Sequence, residues 1–138
     1  MSLLPDTSVW SLAFRRDNPS GDEVRALTRA LDAEESVATT GLILQELLQG
    51  FSGPKMNERI LDRFASLRYL VPDRTDHVNA AELRNHCRRN GVQIGTIDAL
   101  LAQLCIRHDL VMLSADRDFV HAARHCPLVV WQATSLVL

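Results

Sequence analysis

Residues 96–116, TIDALLAQLCIRHDLVMLSAD, join a helical pattern to a short apolar strand. Thr96 is a typical N-cap residue and predicts the start of a helix that runs to about His108. Leu110–Ser114 (LVMLS) is compact and apolar, which indicates a strand, and Asp116 lies just beyond it. A helix followed directly by a buried strand favours an α/β protein.

The rest of the chain continues this alternation of short apolar strands and longer helices. Leu3–Pro5 ends abruptly at Asp6 and is too short for a helix, so it predicts a first strand. Gly91 is placed to cap the preceding helix in the left-handed conformation. The order predicts a single α/β domain over residues 1–138, with a short, mainly parallel central sheet and helices on both faces. The other predicted elements are helices over Thr7–Phe14, Asp22–Ala33, Gly41–Phe51, Asn57–Tyr69, Asp76–Asn90 and Asp116–Arg124, strands over Ser36–Thr40 and Leu128–Trp131, and a loop over Asp17–Gly21.

Charge and composition narrow the possible partners and the cellular compartment. The formal net charge is −2, so no overall positive field attracts nucleic acid, and polyanion binding must come from local clusters. Cys87, Cys105 and Cys126 are widely spaced and form no metal-binding pair, which indicates reduced thiols in a cytoplasmic protein. No apolar run approaches the roughly 20 residues that cross a bilayer, so we expect no membrane association.

Two acidic residues follow predicted strands. Asp6 ends the first strand, and Asp116 comes just after the LVMLS strand. In open parallel α/β sheets, ligands bind beyond the carboxyl ends of the strands. Each residue alone is weak support for a site, because aspartate is common where a strand turns into a helix.

Two further acidic residues lie in apolar surroundings. Glu46 lies within a helix that is apolar on most of its circumference, and we expect it to be buried and therefore paired or bound to metal. Asp98 lies in the first turn of its helix, where it also complements the helix dipole. Carboxylates brought together repel one another, and a divalent cation removes that conflict. Oxygen ligands of this kind suit Mg²⁺ or Mn²⁺, which activate water for attack on a phosphoryl group.

Four short motifs, in this order and spacing, resemble those of the PIN-domain nucleases, and specifically the VapC toxins of VapBC toxin–antitoxin pairs. The resemblance extends over essentially the whole chain and implies a PIN-like three-layer α/β/α fold. Each motif alone is weakly specific, whereas the four together are strong. They are Asp6–Trp10 (DTSVW), Leu44–Leu47 (LQEL), Thr96–Ala102 (TIDALLA) and Ser114–Phe119 (SADRDF).

The resemblance implies a metal-dependent endoribonuclease with a catalytic set of four acids. Asp6, Asp98 and Asp116 would bind Mg²⁺ or Mn²⁺, and Glu46 would orient a water or bind a second ion. Ser114 would support the set through its hydroxyl. Asp118 would help position the site, and it is also open whether it shares or takes the role of Asp116.

The resemblance also implies partners. These are an RNA substrate, a small VapB-type antitoxin, and a second copy of the chain in a homodimer, with higher-order toxin–antitoxin assembly also open. Arg15 and Arg16 follow the first helix and Arg117 lies beside Asp116, so they are candidates for RNA phosphate contacts, although isolated arginines are more often part of a solvated surface. A second basic cluster on one helix is open to the same two interpretations, and it consists of Arg84, Arg88 and Arg89.

Two alternatives keep the same strand-end aspartate. A receiver-type or haloacid-dehalogenase-like phosphotransfer domain needs a lysine near the site late in the chain, yet the only lysine is Lys55. Asp6 is followed by Thr7-Ser8 and lacks the second aspartate of the dehalogenase motif. The other alternative is a PIN-fold binding module without catalysis, which the intact four acids disfavour.

Overall fold

The computed structural model describes residues 1–15 and 21–133, and within them it contains seven helices and five strands. The predicted loop over Asp17–Gly21 lies outside the described residues except for Gly21. The strands are β1 (Leu3–Pro5), β2 (Ala38–Thr40), β3 (Arg68–Leu70), β4 (Val111–Leu113) and β5 (Val129–Val130). The helices are α1 (Thr7–Phe14), α2 (Asp22–Asp32), α3 (Gly41–Gly50), α4 (Pro54–Phe64), α5 (Arg74–Arg89), α6 (Thr96–His108) and α7 (Asp118–Ala122).

All strand pairs in these ranges are parallel. β1 pairs with β4, β4 with β5, and β2 with β3. A single parallel bridge between Leu3 and Val37 joins the two groups, so the strands follow the order β3-β2-β1-β4-β5. The chain leaves β1 toward β2 on one side and later returns to β4 on the other. The carboxyl ends of β1 and β4 therefore flank the switch point at which open α/β sheets bind ligands.

The core is a continuous apolar cluster between the sheet and the helices. Trp10 of α1 is fully enclosed, and its ring lies 4.8 Å from that of Phe64 and 5.9 Å from that of Phe14. Burying an aromatic or large aliphatic side chain contributes about 1.5–3 kcal/mol relative to exposure, so this cluster anchors α1 directly after β1. No helix in residues 1–15 and 21–133 is long and apolar enough to cross a membrane.

Most predicted elements are confirmed, but one strand was missed. The predicted helix over Asn57–Tyr69 is wrong at its end, because α4 stops at Phe64 and Arg68–Leu70 forms β3. β3 pairs with β2 in register from Ala38 with Arg68. Arg68 and Tyr69 are exposed, so this short strand lacks the apolar pattern that identified the others. Pairing with β2, a long-range contact, defines it.

Several helix ends also differ from the sequence predictions, since α4 begins at Pro54 instead of Asn57 and α5 at Arg74 instead of Asp76. Thr96 is the first residue of α6 rather than its N-cap, a position that Gly95 occupies without a side-chain hydrogen bond. The last predicted helix begins later than Asp116, since α7 starts at Asp118. Gly91 has a φ of 79° after α5, which confirms the predicted left-handed cap.

Candidate active site

Asp6 lies at the carboxyl end of β1 and is also the N-cap of α1. Its side chain accepts a hydrogen bond from the Val9 backbone N–H at 3.3 Å. Its own backbone N–H donates to the Leu113 carbonyl at 2.9 Å, which holds it against the end of β4. Only 6% of the residue is exposed. The sheet therefore places one carboxylate at the switch point, as the sequence predicted.

Two serine hydroxyls orient the Asp6 carboxylate, one on each oxygen. Ser114 Oγ donates to Oδ2 at 2.6 Å, and Ser8 Oγ donates to Oδ1 at 2.5 Å. Each hydroxyl also accepts a backbone N–H from the segment after β4, Ser8 from Ala115 at 3.0 Å and Ser114 from Asp116 at 2.9 Å. The two serines thus fasten the ends of β1 and β4 together. We call this arrangement the serine clasp.

The serine clasp also bears on the charge of Asp6. Burial raises the pKa of Asp6 above its usual value, and the hydrogen bonds from Ser114, Ser8 and Val9 oppose that rise. The sequence predicted the role of Ser114 but missed Ser8. The spacing Asp6-x-Ser8 was visible, but only the approach of the β4 end, more than 100 residues later, shows that Ser8 makes a second contact.

Three further aspartates form a compact cluster. Asp98, Asp116 and Asp118 each place a carboxylate oxygen within 4.8 Å of the others. Asp98 is partly buried in the first turn of α6, whereas Asp116 and Asp118 are exposed after β4. The backbone N–H of Asp118 donates to Asp116 Oδ1 at 2.9 Å, which fixes their relative position. Asp118, which was expected to help position the site, thus lies next to two of the predicted metal ligands, Asp98 and Asp116.

The charge of the other acids acts on Asp98. Its pKa is raised to about 6, first by burial and then by the nearby carboxylates of Asp6, Asp116, Asp118 and Glu46. All four acids predicted to form the catalytic set, with Asp118, therefore belong to one electrostatic neighbourhood. Asp6 stands outside the group of three within the described ranges, but it contributes the largest of these carboxylate effects on Asp98.

Glu46 lies near the other acids, but it is exposed and not buried as predicted. The expectation that it is buried is wrong, because it lies on the exposed side of α3. α3 buries Ile43 and Leu47 completely, and its other leucines only in part. Glu46 Oε1 accepts a hydrogen bond from Thr7 Oγ1 at 3.0 Å, which ties α3 to the start of α1. The sequence did not single out Thr7, although it follows Asp6 directly.

The candidate RNA-contacting arginines are exposed where they are described. Arg15 follows α1, and Arg117 precedes α7 next to Asp116. Arg117 also lines a cleft of about 290 Å³ together with Ser114 and Asp116. Arg16 lies outside the described residues. A guanidinium in the same cleft as Asp116 suits contact with a phosphate that approaches this carboxylate.

The carboxylate cluster has the chemistry of a divalent cation site. None of the ion pairs between described residues involves Asp6, Glu46, Asp98, Asp116 or Asp118. Within these residues neither arginine nor lysine therefore balances their charges, and the neighbouring carboxylates add to the burial that raises the pKa of Asp98. Hard oxygen donors at this spacing fit Mg²⁺ or Mn²⁺.

The fold and this site define an α/β domain with an acidic centre at the switch point of a parallel sheet. Residues 3–125 match the family described as PIN domain, and the chain belongs to that family. This membership confirms the predicted fold and excludes the receiver-type and dehalogenase-like alternatives.

Relatives and solved structures agree with this assignment. The chain is 33% identical over 128 residues to VapC ribonuclease Mb1587 of Mycobacterium bovis and to ribonuclease VapC11 of Mycobacterium tuberculosis, in each case over 88% of this chain and 92% of the relative. It shares its fold with VapBC2 of Rickettsia felis bound to a promoter DNA fragment, at a TM-score of 0.73 and 22% identity, over 95% of this chain and 98% of that one. It also resembles VapC20 of Mycobacterium tuberculosis, a toxin that cleaves the sarcin-ricin loop, at a TM-score of 0.66 and 17% identity, over 88% of this chain and 95% of that one.

Proposed function

We propose that this PIN-domain chain is a Mg²⁺- or Mn²⁺-dependent endoribonuclease that acts as the toxin of a VapBC-type pair. The observation that carries the proposal is the set of carboxylates at the switch point, where burial first and then the neighbouring carboxylates raise the pKa of Asp98 to about 6. The VapC ribonucleases to which the chain is 33% identical support the choice of RNA as substrate.

Asp98, Asp116 and Asp118 would hold the cation, and Asp6 would complete the site from the end of β1. The distances among the first three support this assignment, and no ion pair within residues 1–15 and 21–133 involves Asp6 or any of these three. A bound divalent cation would neutralise charge on the phosphoryl group and activate water for in-line attack. We propose Asp118 as a ligand in addition to the predicted Asp6, Asp98 and Asp116.

The chain's own residues would supply orientation. The serine clasp fixes both oxygens of Asp6, so that the carboxylate need not reorganise when substrate arrives. Glu46 is exposed and held by Thr7, which suits it to accept a hydrogen bond from the attacking water. Arg117, and Arg15 at the end of α1, would contact the flanking phosphates of the RNA.

The partners follow from the relatives rather than from a described contact. We propose a VapB-type antitoxin as the inhibitor, in keeping with the VapBC complex of Rickettsia felis. We also propose a homodimer as the toxin's form, which the resemblance to VapC toxins implies. We propose a cytoplasmic location, which the free thiols of Cys87, Cys105 and Cys126 support.

The nuclease proposal is tested with purified chain and labelled RNA. We expect cleavage with Mg²⁺ or Mn²⁺, and loss of at least about 100-fold in rate on Asp98→Asn, because losing even a partner outside the ligand shell costs 10- to 100-fold in metalloenzymes. Asp32→Asn, an exposed change at the end of α2, is the matched control and should leave the rate unchanged. Cleavage that persists in EDTA, or in Asp98→Asn, would contradict the proposal.

The toxin role is tested in cells. Expression of the wild-type chain should arrest growth, and co-expression of a small VapB-type partner should restore it. Asp98→Asn should be tolerated without the partner. Equal growth with wild-type chain and Asp98→Asn would rule out toxicity by this site.

A further inference from the structure

Arg84 and Arg88 lie one turn apart on α5, yet the structure separates them. Arg84 Nε donates to the backbone carbonyl of Ile94 at 2.9 Å, and the arginine is partly buried. Arg88 donates to Asn85 on its own helix at 2.9 Å and is exposed. Of the basic cluster that the sequence left open between RNA binding and solvation, Arg84 thus has a third role, which is to hold a loop.

That loop, residues 91–95, connects α5 to α6. Its first half is held by backbone bonds to the end of α5, from Val92 N–H to the Cys87 carbonyl at 2.9 Å and from Gly91 N–H to the Arg88 carbonyl at 3.1 Å. Its second half is tied back to α5 by Arg84. The Ile94 side chain is buried in the core, so the bond from Arg84 fixes a backbone that the core already confines.

The start of α6 depends on this loop. Its N-cap, Gly95, offers no side chain to bond the first free N–H groups, and the helix begins with the bond from Ala99 N–H to the Gly95 carbonyl at 2.9 Å. Asp98 follows Ile94 by four residues and lies in that first turn. Because a helix turns about 100° per residue, a small shift of its start swings the Asp98 carboxylate away from Asp116 and Asp118.

We propose that Arg84 is a positioning residue for Asp98, acting through the Ile94 carbonyl to set the start of α6. The inference rests on the proposed function, because the position of Asp98 matters only if Asp98 serves the reaction. In this role Arg84 needs only one N–H donor, the one that bonds the Ile94 carbonyl, and its positive charge is not required. A role in RNA phosphate binding would depend on the charge.

Two substitutions separate donor from charge. Arg84→Gln keeps an N–H donor, because the glutamine Nε2 occupies the same place along the side chain as the arginine Nε, and it removes the charge. Arg84→Met keeps the side chain only as far as the position of Nε and removes both the donor and the charge. Arg88→Gln and Arg88→Met on the same helix are the matched controls.

The first readout is made on metal-free protein without RNA. In Arg84→Met we expect the amide of Ala99 to exchange its hydrogen about tenfold faster, since that amide makes the first bond of α6. Mn²⁺, used alone as the probe, should bind about tenfold more weakly, as is usual when a supporting partner of a ligand is lost. Arg84→Gln and both Arg88 variants should stay near wild type in both measurements.

The second readout is RNA cleavage. Arg84→Met should lower kcat about tenfold and leave KM nearly unchanged, because a misplaced carboxylate slows the reaction without weakening RNA binding. Arg84→Gln should retain kcat. Equal impairment of the two Arg84 variants, with KM raised, would overturn the proposal in favour of a charge contact with RNA.

The failures can be told apart. If wild-type chain binds Mn²⁺ but cleaves no RNA, the proposed function fails, and hydrogen exchange and Mn²⁺ affinity still decide the role of Arg84. Unchanged exchange at Ala99 in Arg84→Met would overturn the positioning role. If Arg84→Met does not fold, Arg84→Gln decides alone, since the proposal requires it to match wild type and a charge contact requires it to fail.

Discussion

Asp6 and Asp76 are both buried aspartates at the N-terminus of a helix, yet their surroundings differ in kind. Asp6 is 6% exposed and Asp76 1%. The Asp6 carboxylate accepts hydrogen bonds from two hydroxyls and from the Val9 backbone N–H, and no cation among the described residues pairs with it. Asp76 receives hydrogen bonds from the Asp73 backbone at 2.9 Å and from Arg107 at 2.5 Å.

The pKa values of the two carboxyl groups consequently shift in opposite directions. Burial raises the pKa of Asp6, and its hydrogen bonds do not cancel the rise. Burial acts on Asp76 as well, but the Asp73 backbone bond and the Arg107 guanidinium hold the pKa of that carboxyl below its usual value. Asp76 is thus neutralised within the protein and joins α5 to α6. Asp6 is held in place with its charge unbalanced, which keeps it available to a cation.

The largest expected effect comes from exchanging these two charges for amides. Asp6→Asn should lower RNA cleavage at least about 100-fold and change the free energy of unfolding by less than about 1 kcal/mol, because it removes an uncompensated buried charge. Asp76→Asn should keep the cleavage rate and cost about 2 kcal/mol, since hydrogen bonds to charged groups contribute about 1.5–3 kcal/mol. Urea unfolding and cleavage rates of both variants test this. A large loss of stability in Asp6→Asn would show that the Asp6 carboxylate stabilises the fold as the Asp76 carboxylate does, and would contradict this prediction.

The next effect is the dependence on pH. The pKa of Asp98 in the metal-free protein is about 6, above its usual value, so between pH 7 and 5 the folded chain takes up a proton that the unfolded chain does not. Asp98 therefore adds stability as pH falls through 6. Asp76 behaves oppositely, because its lowered pKa gives stability that is present above the usual carboxyl range and is lost as pH falls through the folded pKa.

Metal binding should depend on pH in the opposite sense to the stability contribution of Asp98, because a carboxylate must be ionised to bind the metal. Mn²⁺ affinity should fall about tenfold for each pH unit below 6, where one proton competes for Asp98. Titration calorimetry measures the Mn²⁺ affinity. Urea unfolding at several pH values measures the stability, and the difference between wild type and Asp98→Asn separates the contribution of Asp98 from that of the histidines. An affinity that does not change between pH 7 and 5 would contradict the assignment.

The smallest effect concerns the serine clasp. Ser8→Ala removes one of the two hydroxyls on Asp6 and should lower the cleavage rate about fivefold, equivalent to about 1 kcal/mol for one hydrogen bond. Ser66→Ala, which removes an exposed hydroxyl bonded to the Arg63 carbonyl, should have no effect on the rate. A rate in Ser8→Ala equal to wild type would show that Ser114 alone suffices to orient Asp6.

The local sequence was enough to place most helices and strands and three of the four acids that are proposed as catalytic. Asp6 and Asp116 follow strands, and Asp98 opens a helix, so their approximate positions follow from the order of elements in a parallel sheet. The same local reasoning failed for Glu46. The apolar residues around it predicted burial, but α3 contacts the core on only one side.

Other features depended on contacts between distant residues. β3 exists because Arg68–Leu70 pairs with β2, and its own residues do not alternate in a way that marks a strand. Ser8, Thr7 and Arg84 gain their roles from partners 107, 39 and 10 residues away. Asp118 joins Asp98 and Asp116 because the end of β4 and the start of α6 converge.

The sequence by itself determined the alternation of helix and strand, the positions of Asp6, Asp98 and Asp116 at element ends, and the free Cys residues, because periodicity, capping and composition act over a few residues. The tertiary structure decided which carboxylates share a site and which of two buried aspartates keeps its charge unbalanced. Those outcomes depend on burial and on the distance to charged partners, which are set only when remote segments pack together.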